Sequence, residues 1–135
     1  LLHQGHRIVA VDIEMTLMGE LEYHPQVSPL RHDLENERWP FAANHFDGIV
    51  VCNYLHRALF ASLADTLKPG GILIYTTFMQ GNQRYGRPRS NEFLLRPGEL
   101  AAVFSPLLHR LDYAEGYTGT PRPMQRQSGV FRKPR

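Results

Sequence analysis

Phe46-Asp47-Gly48-Ile49-Val50-Val51-Cys52-Asn53 and the later Leu67-Lys68-Pro69-Gly70-Gly71-Ile72-Leu73-Ile74-Tyr75-Thr76-Thr77 decide the fold. Each holds an apolar run of strand length ending in a polar or hydroxyl residue. Between them Leu55, Leu59, Leu63 and Leu67 recur every fourth residue, with Phe60 beside them, which gives a helix one apolar face. Pro69 cannot continue that helix, and Gly70-Gly71 permit left-handed turn geometry. The helix therefore closes at Lys68-Pro69-Gly70-Gly71, and a buried strand, Ile72 to Thr77, starts at once.

Upstream, Ile8-Val9-Ala10-Val11 ends at Asp12 and reads as a strand buried on both faces, the pattern of a parallel sheet. Leu1-Leu2-His3-Gln4-Gly5 looks like the last turn of a helix stopped by Gly5. Ile13 to Leu21 favours a helix, which Gly19 weakens. Val27 to Asp33 is a strand candidate, and Pro29 confines it to a sheet edge. Glu35 to His45 reads as a polar loop.

Downstream, Met79 to Leu95 carries little periodicity and much Gly, Asn and Arg, so it reads as a long loop, functional or disordered. Pro97 is expected to open a helix with Leu100, Val103 and Phe104 on one face. Leu111 to Glu115 and Gln127 to Phe131 suggest two final strands. The loop between them, with Gly119, Pro121 and Pro123, suits an antiparallel pair at a sheet edge. The alternation predicts an α/β fold: a mostly parallel sheet with helices on both faces, closed by the antiparallel pair.

The chain has 135 residues and 42% hydrophobic content, enough for one domain. No apolar run is long enough to span a membrane, and no secretory signal is visible. The single cysteine, Cys52, excludes an internal disulfide framework and fits a reducing cytoplasm. Within its apolar run Cys52 is expected to be a buried, inert thiol. The net charge of +2 does not by itself argue for nucleic acid. The positive charge is uneven, however. Arg84, Arg87, Arg89 and Arg96 form one cluster; Arg122, Arg126, Arg132, Lys133 and Arg135 form another. Either is a solvated surface or an attractor of an anionic substrate or RNA. The seven histidines show no metal-ligand spacing with Cys52, so no metal is expected.

In an open α/β sheet, ligands bind at the carboxyl ends of the strands. The residues there are Asp12, Asp33, Asn53 and Thr77-Phe78. An acidic residue ends one apolar strand, a second Asp follows the next, and Phe46 to Val51, a helix and Leu67 to Leu73 come in that order. This order resembles the class I S-adenosylmethionine-dependent methyltransferases, a Rossmann-like family. The Lys68-Pro69-Gly70-Gly71 junction is its most specific part. Asn53-Tyr54-Leu55-His56-Arg57, with Gly81-Asn82 and Phe93-Leu94-Leu95-Arg96-Pro97-Gly98-Glu99, resembles a bacterial subgroup whose substrate is generally unassigned. The likeness spans nearly the whole chain. The family's glycine-rich turn has no match in these 135 residues. Its place is upstream of Leu1, after a first strand lying mid-sheet between those ending at Asp12 and Asn53. The expectation is thus one methyltransferase domain over residues 1–135, incomplete at its N-terminus, which would bind cofactor poorly alone.

The resemblance implies S-adenosylmethionine as cofactor and an unidentified methyl acceptor. Asp12, with Ile13, would accept hydrogen bonds from the ribose hydroxyls, or Asp12 caps a helix instead. Asp33 and Leu34 would flank the adenine, or Asp33 forms a turn. Asn53 lies where the methyl should point, touching cofactor and acceptor. Asn53, Tyr54 and His56 are the catalytic candidates: amide and phenol to orient, imidazole as base. Capping, packing and simple exposure are the competing readings. Arg84, Tyr85 and Arg87 would close over an anionic small-molecule acceptor as a lid.

Two other classes compete. An NAD-dependent oxidoreductase shares the strand ending in Asp, but the Lys-Pro-Gly-Gly junction and the antiparallel pair disfavour it. A non-catalytic nucleotide-binding module would explain the missing glycine-rich turn. The intact mass of the native protein should exceed that of these 135 residues; equality sinks the expected upstream segment.

Overall fold

In the computed structural model, which describes residues 8–12 and 25–135, the chain divides into two units, Leu1–Pro40 and Phe41–Arg135. In the first, β1 (Ile8–Asp12) and β2 (Val27–Arg31) pair in parallel, from Ile8 opposite Val27 to Asp12 opposite Arg31. Pro29, which lacks an N–H, sits in this two-stranded sheet, where every strand has a free edge. The helices expected over Leu1–Gly5 and Ile13–Leu21 lie outside the described residues.

The second unit is a four-stranded mixed sheet of order β3-β4-β6-β5. Its strands are β3 (Phe46–Cys52), β4 (Leu67–Phe78), β5 (His109–Thr118) and β6 (Met124–Arg132). β3 and β4 are parallel, whereas β6 runs antiparallel to both β4 and β5. The C-terminal pair is therefore antiparallel as expected, and β5 lies at the edge. The four-stranded sheet has one parallel and two antiparallel pairings and the two-stranded sheet one parallel pairing, so the described strands are mixed rather than mostly parallel.

Lys68-Pro69-Gly70-Gly71 forms a bulge as β4 begins: Phe46 faces Leu67, but Gly48 already faces Ile72. Gly70 takes φ +83°, and a side chain at Gly71 would meet the Lys68 carbonyl at 2.8 Å, so both positions require glycine. Lys133, past the end of β6, closes the junction. Its ammonium donates to the Asp65 and Leu67 carbonyls at the end of α1 (Phe60–Thr66), where a cation suits the helix dipole.

α1 is shorter than the leucine spacing suggests. Leu59 ends a 3-10 turn (Arg57–Leu59), and Leu67 already belongs to β4. Ahead of the 3-10 turn, the Tyr75 hydroxyl donates to the Tyr54 carbonyl at 2.7 Å and ties that segment to β4. The apolar positions are buried all the same, Leu55, Leu63 and Leu67 among them. α2 (Glu99–Phe104) likewise starts later than Pro97, which stays in the preceding turn before Gly98 at φ +71°. The Glu99 carboxylate accepts the Arg96 N–H and caps the helix entry.

Both described helices pack on one sheet face. The Phe60 ring lies 5.3 Å from Phe104 and 5.9 Å from Tyr75, and Phe104 lies 5.4 Å from Phe131. Such edge and tilted aromatic contacts join α1, α2, β4 and β6 in one core. On β6, buried Gln127 accepts the Leu100 N–H and donates to the Arg96 carbonyl, tying α2 to the sheet. The opposite face keeps Val50 and Ile74 55% and 41% exposed. Cys52 follows Val50 by two residues, so strand alternation turns it to that face: it is exposed, not buried as expected. No helix among the described residues is long and apolar enough to cross a membrane.

A Cβ at Gly129 would stand 2.5 Å from the wholly buried Phe131 ring, whereas at Gly48 its nearest neighbour is a carbonyl at 3.6 Å. Gly129→Ala should cost about 1–3 kcal/mol. Gly48→Ala should be neutral or stabilise by about 0.5 kcal/mol. Urea unfolding of both variants checks the ranking.

Candidate active site

Asn53 follows β3 with φ +54°, a left-handed conformation that asparagine tolerates better than most residues. Its N–H donates to the Thr76 carbonyl at 2.9 Å, extending the β3–β4 ladder by one bond. Its side-chain Oδ1 accepts from Arg126 Nη2 at 2.7 Å. A guanidinium only donates, so the atom facing it must be the oxygen. The Asn53 NH2 is then the end left for a ligand.

Arg126 is itself held on several sides. It lies 4.9 Å over the Phe78 ring, donates to Thr76 Oγ1 at 3.1 Å, and Thr76 Oγ1 shares a 2.9 Å hydrogen bond with Ser128. The register sets this up, since Phe78 of β4 lies opposite Arg126 of β6.

Beside Asn53 opens a cleft of about 600 Å³ lined by Asn53, Phe78, Arg87, Pro88, Arg89, Phe93 and Arg122. It lies at the carboxyl ends of β3 and β4, where an open α/β sheet binds ligands. Arg122 lies 5.8 Å over Phe78. Arg87, Arg89 and Arg122 pair with no carboxylate among the described residues. None of the lining side chains accepts a proton at neutral pH, while four carry N–H donors.

The loop forming one wall is ordered by a buried polar knot. Asn82 donates to the Pro88 carbonyl and accepts the Gln125 N–H, both at 3.1 Å. Leu94 and Leu95 are wholly buried at the far end, where the Leu95 N–H bonds the Phe78 carbonyl. Arg57 completes the clamp: Nε reaches Glu99 Oε2 at 2.6 Å, and Nη2 reaches Glu99 Oε1 and the Leu94 carbonyl. Burial alone would raise the Glu99 pKa. The Arg57 hydrogen bond, the Arg96 N–H and both arginine charges outweigh it and hold the carboxyl below its usual range.

In the first unit, Asp12 ends β1 and Asp33 lies two residues past β2, so both stand at the carboxyl edge of one parallel pair. Asp33 Oδ1 accepts the N–H groups of Glu35 and Asn36, and Oδ2 accepts the Asn36 amide. These bonds, the Asn36 amide foremost, keep its pKa low. The geometry is that of a turn-forming aspartate. Ile13 lies outside the described residues, and Leu34 is half-buried in the Asp33 turn.

The cleft thus takes Asn53 and Arg87 from the residues expected to form the site, but not Tyr54, His56, Arg84 or Tyr85. Tyr54 is anchored through its carbonyl, His56 precedes the Arg57–Leu59 turn, and Tyr85 meets Tyr117 in a tilted ring contact at 5.4 Å. Arg84, itself exposed, ends a 3-10 turn (Asn82–Arg84). Sequence reading missed Pro88, Phe93, Arg122 and the supporting Arg126 as site residues. The two arginine clusters were visible, but not the strand pairing that brings them together.

A family model described as a methyltransferase domain matches residues 1–75, more than half of the 135-residue chain. The chain belongs to that family, and with it to the enzymes that use S-adenosylmethionine as methyl donor. Solved structures agree on the Rossmann-like α/β fold. The N-methyltransferase NodS of Bradyrhizobium japonicum is 17% identical with a TM-score of 0.71, over 96% of this chain and 74% of that one. A 1,6-didemethyltoxoflavin-N1-methyltransferase of Burkholderia thailandensis, with S-adenosylhomocysteine bound, is 18% identical with a TM-score of 0.70, over 99% and 64%. A methyltransferase of Methanosarcina mazei is 14% identical with a TM-score of 0.73, over 97% and 84%. No curated protein matches the sequence. By backbone position Asp12 and Asp33 come to one strand edge, and aspartate is a residue type whose chemistry suits a ligand rich in hydroxyl and amine donors.

Because the Glu99 pKa is lowered in the folded state, its stabilising contribution is present above the unfolded glutamate value and is lost as pH falls through the folded one. Glu99→Gln should destabilise the protein by about 2 kcal/mol at pH 7. The difference should shrink as pH falls below the ordinary glutamate value and vanish only once pH has passed the lowered folded one. Thermal unfolding of both proteins across pH checks this.

Proposed function

We propose that the acceptor of the methyl group from S-adenosylmethionine is an anionic small molecule bound in the arginine-lined cleft. The carrying observation is that Arg87, Arg89 and Arg122 surround one cleft at the strand ends with no carboxylate partner among the described residues. Like charges gathered without a counter-ion favour an anion, and guanidinium forks match carboxylate or phosphate geometry. A 600 Å³ cleft has the size of a small-ligand site, which favours a small molecule over nucleic acid. Arg84 and Tyr85, on the exposed part of the same loop, add charge and an aromatic edge at the approach.

We assign the nucleoside part of the cofactor to Asp12, Ile13, Asp33 and Leu34. Asp12 takes the ribose hydroxyls. Asp33 keeps lone pairs beyond those its turn uses, because a carboxylate offers about four acceptor sites. Bound S-adenosylmethionine supplies an electrophilic methyl group, and this chain's residues supply placement. Asn53 belongs at the reacting end, its amide fixed by Arg126 so that NH2 meets the acceptor. Tyr54 holds that backbone in place through its bond with Tyr75. His56, the base expected from the sequence, lies outside the cleft lining, so the reading favours an acceptor whose reacting atom has no proton to lose, a carboxylate oxygen or an unprotonated ring nitrogen.

We read the two units as parts of one methyltransferase domain, since the solved relatives above align over at least 96% of the chain. A bacterial cytoplasm is the compartment we favour, where an exposed unpaired thiol such as Cys52 stays reduced.

Calorimetric titration of the full-length protein with S-adenosylhomocysteine should show binding, and titration with NADH none. Asp12→Ala removes hydrogen bonds to a charged group worth about 1.5–3 kcal/mol each. It should therefore weaken S-adenosylhomocysteine binding by roughly ten- to a hundredfold. Unchanged affinity takes Asp12 out of the site.

A further inference from the structure

Resting on the reading of the arginine cleft as the acceptor site, we infer that the acceptor is a flat aromatic or heteroaromatic anion. Its charge lies on Arg87, Arg89 and Arg122, and its ring lies along Phe93 and Pro88.

The lining divides into two kinds of surface. One is donor-only: three guanidinium groups and the Asn53 NH2. A ligand group seated there must accept hydrogen bonds, and a negative charge relieves the repulsion among the arginines. The other is apolar: Phe78, Pro88 and Phe93. Phe78 carries Arg122 and Arg126 at 5.8 and 4.9 Å, so its π surface is already engaged. Phe93 is different. It stays 44% exposed, although Leu94 and Leu95 beside it are wholly buried. The chain here has a fixed inside, and the Phe93 ring is on the outside of it.

Local structure holds the backbone that carries that ring in place. Phe93 ends a 3-10 turn (Asn91–Phe93) capped by Ser90, whose hydroxyl accepts the Glu92 N–H. The Arg57 guanidinium also donates to the Glu92 and Leu94 carbonyls on either side of it. A phenyl ring fixed at the rim of a charged cleft is a wall against which a flat ligand can stack. Guanidinium planes stack on π faces as well, and neither surface gains as much from a puckered aliphatic ring.

The test measures binding of model anions to the full-length protein without cofactor, by calorimetry or saturation-transfer NMR. The probes are 2-naphthoate, cyclohexanecarboxylate, neutral 2-naphthylmethanol, inorganic phosphate and a single-stranded oligonucleotide. The expected result is that 2-naphthoate binds at least tenfold more tightly than each of the other small probes. Arg122→Gln and Arg89→Gln should each weaken it at least tenfold, and Phe93→Ala should bring it down to the level of cyclohexanecarboxylate. Unchanged unfolding midpoints would show that these exposed substitutions leave the fold intact. If cyclohexanecarboxylate binds as well as naphthoate and is lost in Arg122→Gln, the anion site stands and the aromatic assignment falls. If none of the small anions binds, or only the oligonucleotide does with a steep salt dependence, both fall. S-adenosylhomocysteine binding in the same preparation reports on the methyltransferase assignment independently.

Discussion

The cleft depends on one pairing: β6 lies antiparallel against β4 with Arg126 opposite Phe78. That register puts a guanidinium over an aromatic ring and within reach of both Thr76 and Asn53. A slip of one residue would turn Arg126 to the other sheet face and release the Asn53 amide. The same strand brings Gln127 under α2 and Phe131 into the core. A C-terminal strand thus connects the stability of the sheet to the geometry of the site.

The arginines divide into those that are used up and those that are not. Arg57 is spent on the Glu99 carboxylate and the Glu92 and Leu94 carbonyls, so it fixes the loop wall. Arg126 is spent on Phe78, Thr76 and Asn53. Among the described residues, Arg87, Arg89 and Arg122 have no carboxylate partner. Gathering unpaired like charges costs free energy, and the interactions that oppose it are structural: the buried Asn82 knot, the two buried leucines and the Arg57–Glu99 pair. A site can keep such charges only where its scaffold is this firmly tied.

Much of the fold was legible because periodicity and turn chemistry are local. The strands at Ile8, Phe46 and Ile72, the Pro-Gly-Gly bulge and the closing antiparallel pair all follow from residues near each other in sequence. The misreadings share one cause. The leucine spacing reported the burial of Leu55, Leu63 and Leu67 correctly and helix length incorrectly, because Leu59 ends a 3-10 turn and Leu67 is drawn into β4 by pairing with Phe46. Pro97 suited a first helical turn, but the Glu99 carboxylate sets the entry instead. Cys52 sits in an apolar run, yet strand alternation turns it outward.

The sequence by itself determined the class of protein. The order of strands and their terminal residues, with the Lys-Pro-Gly-Gly junction, is chemistry written within short windows. It also determined that positive charge would gather in two stretches, Arg84 to Arg96 and Arg122 to Arg135. Only the tertiary structure decided that parts of both stretches share one cleft, and which arginines remain free there. The physical reason is that strand register joins residues 50 and 73 positions apart, as Thr76 and Asn53 meet Arg126. No local propensity encodes which donor will find which acceptor across that distance.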